Sequence, residues 1–310
     1  MKTLILHHDD CLRHDPGARH PERPGRVRAV LGAVQNMQGT EALPAPKASL
    51  EQIERVHEPK YVQRLIELEP ELDKTGEDRL ALDPDTFLSP GSIDAALRGS
   101  GAACFAIDQI FAGKSRNAFC ATRPPGHHAE GGRAMGFCLF NHVAVAARHA
   151  LVTHGLERVA ILDFDVHHGN GTQAIFEQAA EVLYVSSHQM PLYPGTGSED
   201  ETGCGNILNL PLAAGSGSHE FRVAWSERGL PALRRFQPGL IIISAGFDAH
   251  QLDPLGQVEL QDEDFGWITR EICSYAQSAC GGRVVSLLEG GYDLDALASA
   301  ARAHVEALTS

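Results

Sequence analysis

Short apolar runs of strand length alternate with long helical stretches along this chain, and that alternation restricts the fold more than any other feature. The runs fall at residues 3–6, 118–121, 158–162, 182–186, 240–244 and 283–288. Helical stretches are read at 92–111, 139–153, 219–236, 262–279 and 294–308. A run such as Leu240-Ile241-Ile242-Ile243 has no polar side to turn to water. Strands of that kind are covered on both faces, as in a parallel sheet wrapped by helices. The expected fold is α/β, a single doubly wound domain over residues 1–310 with no linker or repeat to divide it. Ser89-Pro90 is expected to cap the first long helix. The proline- and charge-rich stretch from Glu41 to Pro90 is expected to form helices and loops at the rim.

The unusual polar motifs begin where these runs end. Residues 118–121 lead into Arg123-Pro124-Pro125-Gly126-His127-His128, and 158–162 into Asp163-Phe164-Asp165-Val166-His167-His168-Gly169-Asn170-Gly171. Three further runs are followed by Ser187-His188, by Ala245-Gly246-Phe247-Asp248 and by Glu289-Gly290-Gly291-Tyr292. In a parallel sheet all of these ends share one edge, where open α/β proteins bind ligands. Five separate regions are thus expected to converge on one site.

Asp163, Asp165 and His167 alternate with Phe164 and Val166, so an extended chain would point all three polar groups one way. A lone Asp or His there would more often cap the next helix or pack. Three together after a buried strand favour a metal site. Asp165 and His167 from one strand end and Asp248 from another would leave a fourth position for water or substrate, as catalytic zinc requires. That donor set is oxygen-rich, and iron(II) or cobalt(II) also suits it. One or both of His127 and His128 would handle protons beside the metal. Asp163 and Asn170 are available to orient them. Gly290-Gly291 leaves the backbone free beside Tyr292, whose hydroxyl would donate to a carbonyl oxygen as charge develops there.

Composition excludes other classes. Net charge is −14, from 26 basic and 40 acidic residues, which argues against nucleic acid as a direct ligand and favours a cationic or lysine-bearing one. The 7 cysteines form no CxxC and sit partly in apolar runs, which reads as reduced thiols in a cytoplasmic protein. MKTLILHHDD does not read as a signal peptide, and no apolar stretch reaches membrane-spanning length. The 16 histidines are the one compositional anomaly.

These motifs, together with His20-Pro21-Glu22-Arg23-Pro24, Gly136-Phe137-Cys138, Pro194-Gly195-Thr196-Gly197 and Ser244-Ala245-Gly246-Phe247-Asp248, resemble the zinc-dependent histone deacetylase family. They occur in the expected order over nearly the whole chain, and they look most like the class II branch and its compact bacterial amidohydrolases. The resemblance implies the arginase–deacetylase fold, a parallel eight-stranded sheet with helices on both faces. It implies zinc on Asp165, His167 and Asp248. His127 and His128 would hold the attacking water, His128 as general base and then acid, with Asp163 paired to His127. Where class I relatives carry an aspartate this chain has Asn170, a neutral partner that leaves His128 less basic. Tyr292 would polarise the acyl carbonyl. Phe137 and Tyr193 would wall a narrow tunnel for an alkyl-amine chain, with the Gly136 carbonyl reaching the amide N–H and Gly290 beside the substrate. A structural potassium is implied at the side chains of Asp163 and Ser186 and the carbonyls of Asp165, His167 and Ser187.

The implied substrate is an acylated lysine or another acylated amine. Polyamine-selective relatives place a glutamate at the tunnel mouth, where this chain has Leu255, so acyl-lysine is favoured over acetylpolyamine. Asp83 or Asp85 is expected to anchor substrate backbone or ammonium. A non-catalytic acyl-amine-binding protein would have lost the tyrosine or the paired histidines, and an arginase-like hydrolase would need more carboxylates. The resemblance leaves the oligomeric state open, a homo-oligomer included.

Overall fold

A computed structural model describes the backbone of residues 1–310 and the side chains of all but Asp73 and Thr75. The strands are β1 (Thr3–His7), β2 (Thr40–Pro44), β3 (Leu80–Ala81), β4 (Phe87–Leu88), β5 (Asn117–Cys120), β6 (Val159–Asp163), β7 (Val182–Gln189), β8 (Ile207–Leu212), β9 (Leu240–Ala245) and β10 (Val284–Leu288). Eight of them form one sheet in the order β2-β1-β5-β10-β9-β6-β7-β8, every pair parallel, while β3 and β4 form a small separate hairpin.

The helices α1 (Gly25–Val34), α2 (Leu50–Glu54), α3 (Pro59–Thr75), α4 (Ser92–Phe111), α5 (His142–His154), α6 (Asn170–Phe176), α7 (Ser218–Ala224), α8 (Leu230–Phe236), α9 (Asp262–Ala279) and α10 (Leu294–Thr309) surround the sheet. Successive residues of each central strand feed opposite cores. Ile241 and Ile243 pack with α1, α7–α10 on one face, whereas Leu240 and Ile242 pack with α4 and α5 on the other. The same division separates Ala160 and Leu162 from Val159 and Ile161. Burying each such side chain stabilises the fold by about 1.5–3 kcal/mol, and none of these residues has a polar face to show solvent. The unbroken apolar runs are explained by that two-sided burial.

Six of the eight strands coincide with runs legible in the sequence. The other two, β2 and β8, are the sheet edges. β2 overlaps the start of the stretch Glu41 to Pro90 expected to form helices and loops; three of its five residues are exposed and it ends in Pro44. β8 carries Pro211, and an edge strand tolerates a residue without an N–H. Helix starts also differ from expectation. Ser89 is not the cap of α4: the helix begins at Ser92 after Gly91, with φ 91°, and Ser89 Oγ instead receives the Asp15 N–H at 2.8 Å. The stretch 219–236 is two α-helices joined by a π turn, Trp225–Gly229, where a Cβ on Gly229 would lie 2.6 Å from the Trp225 ring. Among the described residues no helix is long and apolar enough to cross a membrane.

Register decides where the chemistry goes. Asp163 of β6 pairs with Ser186 of β7 and Ser244 of β9, Ala245 pairs with Leu288 of β10, and Leu287 with Cys120 of β5. The carboxyl ends of five neighbouring strands are therefore level, and the motifs that follow them meet.

Candidate active site

Strand β6 stops at Asp163 because the next aspartates turn the chain. Asp163 Oδ1 accepts the Asp165 N–H at 3.1 Å, and Asp165 Oδ1 accepts the His167 N–H at 2.9 Å. Such side-chain bonds two residues ahead compete with the strand ladder. The segment is thus coiled, not extended, and its three polar side chains part company. Asp163 turns to His127, whereas Asp165 and His167 converge with Asp248. His167 Nδ1 lies 3.1 Å from Asp165 Oδ1 and 3.1 Å from Asp248 Oδ2. All three donor atoms fall within 4.8 Å of one another, and both carboxylates are buried.

The surroundings of this triad fit a divalent cation. Asp165 Oδ2 accepts the Gly290 N–H at 2.7 Å and Asp248 Oδ1 the Val166 N–H at 2.8 Å, so backbone amides aim the remaining oxygens inward. The carboxylates occupy space that side chains would fill: a Cβ on Gly290 would lie 2.0 Å from Asp248 Oδ2, and one on Gly246 2.1 Å from Asp165 Oδ2. Burial and the neighbouring Asp165 charge raise the Asp248 carboxyl to about 7. Burial opposes charge on His167, but its hydrogen bonds to the two carboxylates lift it to about 10. Two carboxylates forced together out of water demand positive charge between them. Asp, His and Asp is a donor set that zinc, iron(II) or cobalt(II) satisfies.

His127 and His128 are neighbours with opposite environments. His127 Nδ1 bonds Asp163 Oδ2 at 3.0 Å, and Tyr184 donates to that same oxygen at 2.9 Å. Burial disfavours a charged His127, yet Asp163 and Asp165 raise it to about 10. His128 Nδ1 meets Asn170 Oδ1 at 2.8 Å, while Asn170 Nδ2 donates to Glu130 Oε1 at 2.9 Å. The acceptor-only carboxylate of Glu130 fixes which way the amide faces, so His128 carries its proton on Nδ1 and leaves Nε2 bare. Burial, reinforced by His127 and His167, holds His128 well below the ordinary imidazole value. It is the neutral histidine of the pair.

A cavity of about 250 Å³ opens onto these groups, lined among others by Phe137, Tyr193, Leu255, Tyr292 and Asp85. Phe137 adopts a left-handed φ of 68°, uncommon for a bulky residue, and its N–H is held by Thr86 Oγ1 at 3.0 Å. This sets its ring edge-on to Tyr292, 5.8 Å between centroids. Tyr193 is edge-on to His128 at 5.2 Å. Gly136 lines the same wall; Gly290 lies below it, its N–H spent on Asp165. Asp83 turns inward on its own loop, accepting the N–H groups of Asp85 and Thr86. Of the groups expected around potassium, Ser186 Oγ bonds His188 Nδ1 at 2.9 Å and Ser187 Oγ accepts from Trp225 at 3.0 Å.

Residues 20–308 match the family model described as histone deacetylase domain. The chain belongs to the histone deacetylase family. Family relatives include a Synechocystis protein, 40% identical over 96% of this chain and 96% of its own length. A histone deacetylase-like amidohydrolase of Pseudomonas aeruginosa is 40% identical over 89% of this chain and 72% of its own. The chain spans only 21% of the type-2 histone deacetylase 2 of Dictyostelium discoideum, at 36% identity. Among solved structures, the crystal structure of the HDA15 HD domain superposes with a TM-score of 0.90 at 34% identity, covering 99% of this chain and 90% of that one. The eight-stranded sheet is thus a histone deacetylase fold.

Several residues that position the family site escape sequence reasoning. Glu289 is buried and accepts the N–H groups of Gly126 and His127 at 2.7 and 3.2 Å, tying the histidine loop to β10. Asp253 Oδ2 accepts the Tyr292 N–H at 2.6 Å. Arg26, wholly buried, donates to the Gly291 carbonyl at 2.5 Å and to the Glu289 carbonyl, with its guanidinium 4.8 Å from the Tyr292 ring centre. Glu22 bridges Arg26 and Arg123. An available signal was the motif His20-Pro21-Glu22-Arg23-Pro24, whose Glu22 is the buried carboxylate between Arg26 and Arg123.

Proposed function

We propose that this chain is a zinc-dependent deacetylase that hydrolyses the amide of an acylated lysine in proteins or peptides. One observation carries the reading: the Asp165–His167–Asp248 cluster stands at the foot of a narrow aromatic-walled cavity, with a neutral histidine and a protonated tyrosine beside it. A Zn²⁺ held by these three residues would supply Lewis acidity and a water of lowered pKa.

The chain's own groups account for the rest. His128 Nε2 accepts the proton of the attacking water and returns it to the departing amine, a task suited to an imidazole that stays neutral. His127, paired with Asp163 at 3.0 Å through Nδ1, turns its Nε2 toward the metal residues, 3.9 Å from Asp165 Oδ1. Burial holds the Tyr292 phenol well above its ordinary value, so it stays protonated and donates to the acyl oxygen as negative charge develops. Arg26 and Asp253 grip the backbone on both sides of that tyrosine and so limit where its hydroxyl can go. Phe137 and Tyr193 exclude water from the alkyl-amine chain, and Leu255 leaves the mouth without a carboxylate at that position. The same reading includes a potassium held by the side chains of Asp163 and Ser186 and the carbonyls of Asp165, His167 and Ser187; the Ser186 hydroxyl bonds His188 and keeps a lone pair for an ion. A cytoplasmic location belongs to it too, supported by the free cysteines.

The deciding measurement compares kcat/KM for an acetyl-lysine peptide with that for acetylputrescine and acetylspermidine at one pH. The peptide is expected to be the better substrate, and a strong preference for the polyamines would overturn the acyl-lysine assignment. Chelator-treated protein is expected to be inactive and to recover with zinc or cobalt. Full turnover without metal would overturn the mechanism itself.

A further inference from the structure

The reaction accounts for few of the 16 histidines, and one group outside it has the make-up of a binding site. Asp108 lies in the last turn of α4, and His149 and His154 lie near the end of α5. Nε2 of each histidine is 2.8 Å from Asp108 Oδ1, and the donor atoms of all three residues fall within 4.8 Å of one another. We propose that Asp108, His149 and His154 form a second metal site, taking a divalent transition ion such as Zn²⁺.

Three observations distinguish the cluster from an ordinary surface ion pair. Both imidazoles are held from behind. His149 Nδ1 is 3.2 Å from Thr153 Oγ1 and 3.4 Å from Gln52 Nε2, and the His154 ring stacks on Phe111 at 4.4 Å with 23° between planes. Their ligand nitrogens are therefore aimed at one point before any ion arrives. The donor set, two imidazoles and one carboxylate, suits zinc and its neighbours and not calcium or magnesium, which prefer oxygen alone. The site is also reachable. The His149 side chain is 5% exposed, but His154 is 19% and Asp108 44% exposed, so solvent can complete the coordination.

Coordination through Nε2 requires each imidazole to carry its proton on Nδ1. For His149 the Thr153 hydroxyl, 3.2 Å away, can accept that proton as it moves from Nε2, while the Gln52 amide NH₂, which only donates, has to give up its bond to Nδ1. No covalent bond is made or broken beyond this tautomer shift. Helix α4 leads into β5 and α5 into β6, so the cluster lies toward the amino ends of those strands, at the far end of the sheet from the Asp165 site. Its metal would pin two helix ends together and leave the reaction alone.

The test is a titration of chelator-stripped protein with Zn²⁺ against a chromophoric chelator, followed by metal analysis after gel filtration. Wild-type protein is expected to hold two equivalents. The double variant Asp108→Asn/His154→Ala should hold one and keep wild-type kcat/KM, and Asp248→Ala should lose the other. A rise in Tm accompanying the second equivalent should be absent from the double variant. If wild type and the double variant hold the same number of equivalents, the cluster is a hydrogen-bonded clamp only and the proposal fails, whatever becomes of the Asp165 site. If instead Asp248→Ala loses nothing while the double variant loses one, the surface site stands and the zinc assignment at Asp165, His167 and Asp248 falls.

Discussion

Two groups of the same composition class, carboxylate and imidazole, occupy opposite ends of this molecule and are built differently. Asp165, His167 and Asp248 sit on the loops after β6 and β9, buried, with each carboxylate gripped by a backbone N–H. Asp108, His149 and His154 sit on two helices near the surface, held by side chains alone. Strand ends in a parallel sheet fix position through the register of many hydrogen bonds, whereas adjacent helices fix it through packing. The first setting also removes water, which magnifies every charge in it. A donor set by itself therefore specifies binding; chemistry is expected where the same donors are desolvated and a proton carrier stands alongside.

The contrast can be broken most sharply at Asp248. Asp248→Ala is expected to abolish hydrolysis and one equivalent of metal together, measured by turnover and metal analysis on the same sample. Retained turnover would mean that burial at the strand ends serves something other than metal chemistry. Next in size is Tyr292→Phe, which should leave metal content intact while lowering kcat by about 10²–10³, the usual cost of one oxyanion donor. A loss of metal in that variant would show that the phenol acts on the site's structure.

Asn170→Asp addresses the proton carrier. His128 lies below the ordinary imidazole value, so it remains neutral, and competent as base, into mildly acidic solution. A carboxylate in place of the amide favours the charged imidazole and raises that value. The acid limb of kcat/KM should therefore move to higher pH; a limb that stays put would show that His128 does not govern it. Smallest of all is Asp108→Asn. It lies far from the reacting groups; in chelator-stripped protein it should cost no more than about 1 kcal/mol, with Zn²⁺ present it should also lose the Tm rise of the second equivalent, and kcat/KM should be unchanged. A drop in turnover there would mean that the two groups are coupled through the sheet.

How much of this could be read from the sequence follows from burial. The central strands announced themselves because both faces are covered, leaving no polar residue to blur runs such as Leu240-Ile241-Ile242-Ile243. The edges β2 and β8 did not, since one side of each lacks a neighbour and their residues, Pro44 and Pro211 among them, carry little strand character. The reacting groups were legible as polar residues in the wrong company, at the ends of apolar runs. What holds them was not. Glu130, Asp253 and Glu289 act over separations of 39 to 163 residues, through contacts that only the folded chain creates. The alternation of Asp163, Asp165 and His167 pointed to one shared face. Their own side chains coil the backbone and send Asp163 elsewhere, an effect of local hydrogen bonding that periodicity cannot register.

The amide of Asn170 has a consequence for where protons can travel. A carboxylate behind a catalytic imidazole can take up a hydrogen ion and serve as a temporary store; an amide cannot. With Asn170 turned by Glu130, the line behind His128 is a dead end. Whatever hydrogen ion His128 acquires must leave by the face on which it arrived. In the proposed hydrolysis each cycle would then balance its protons inside the cavity, between the water consumed and the amine released.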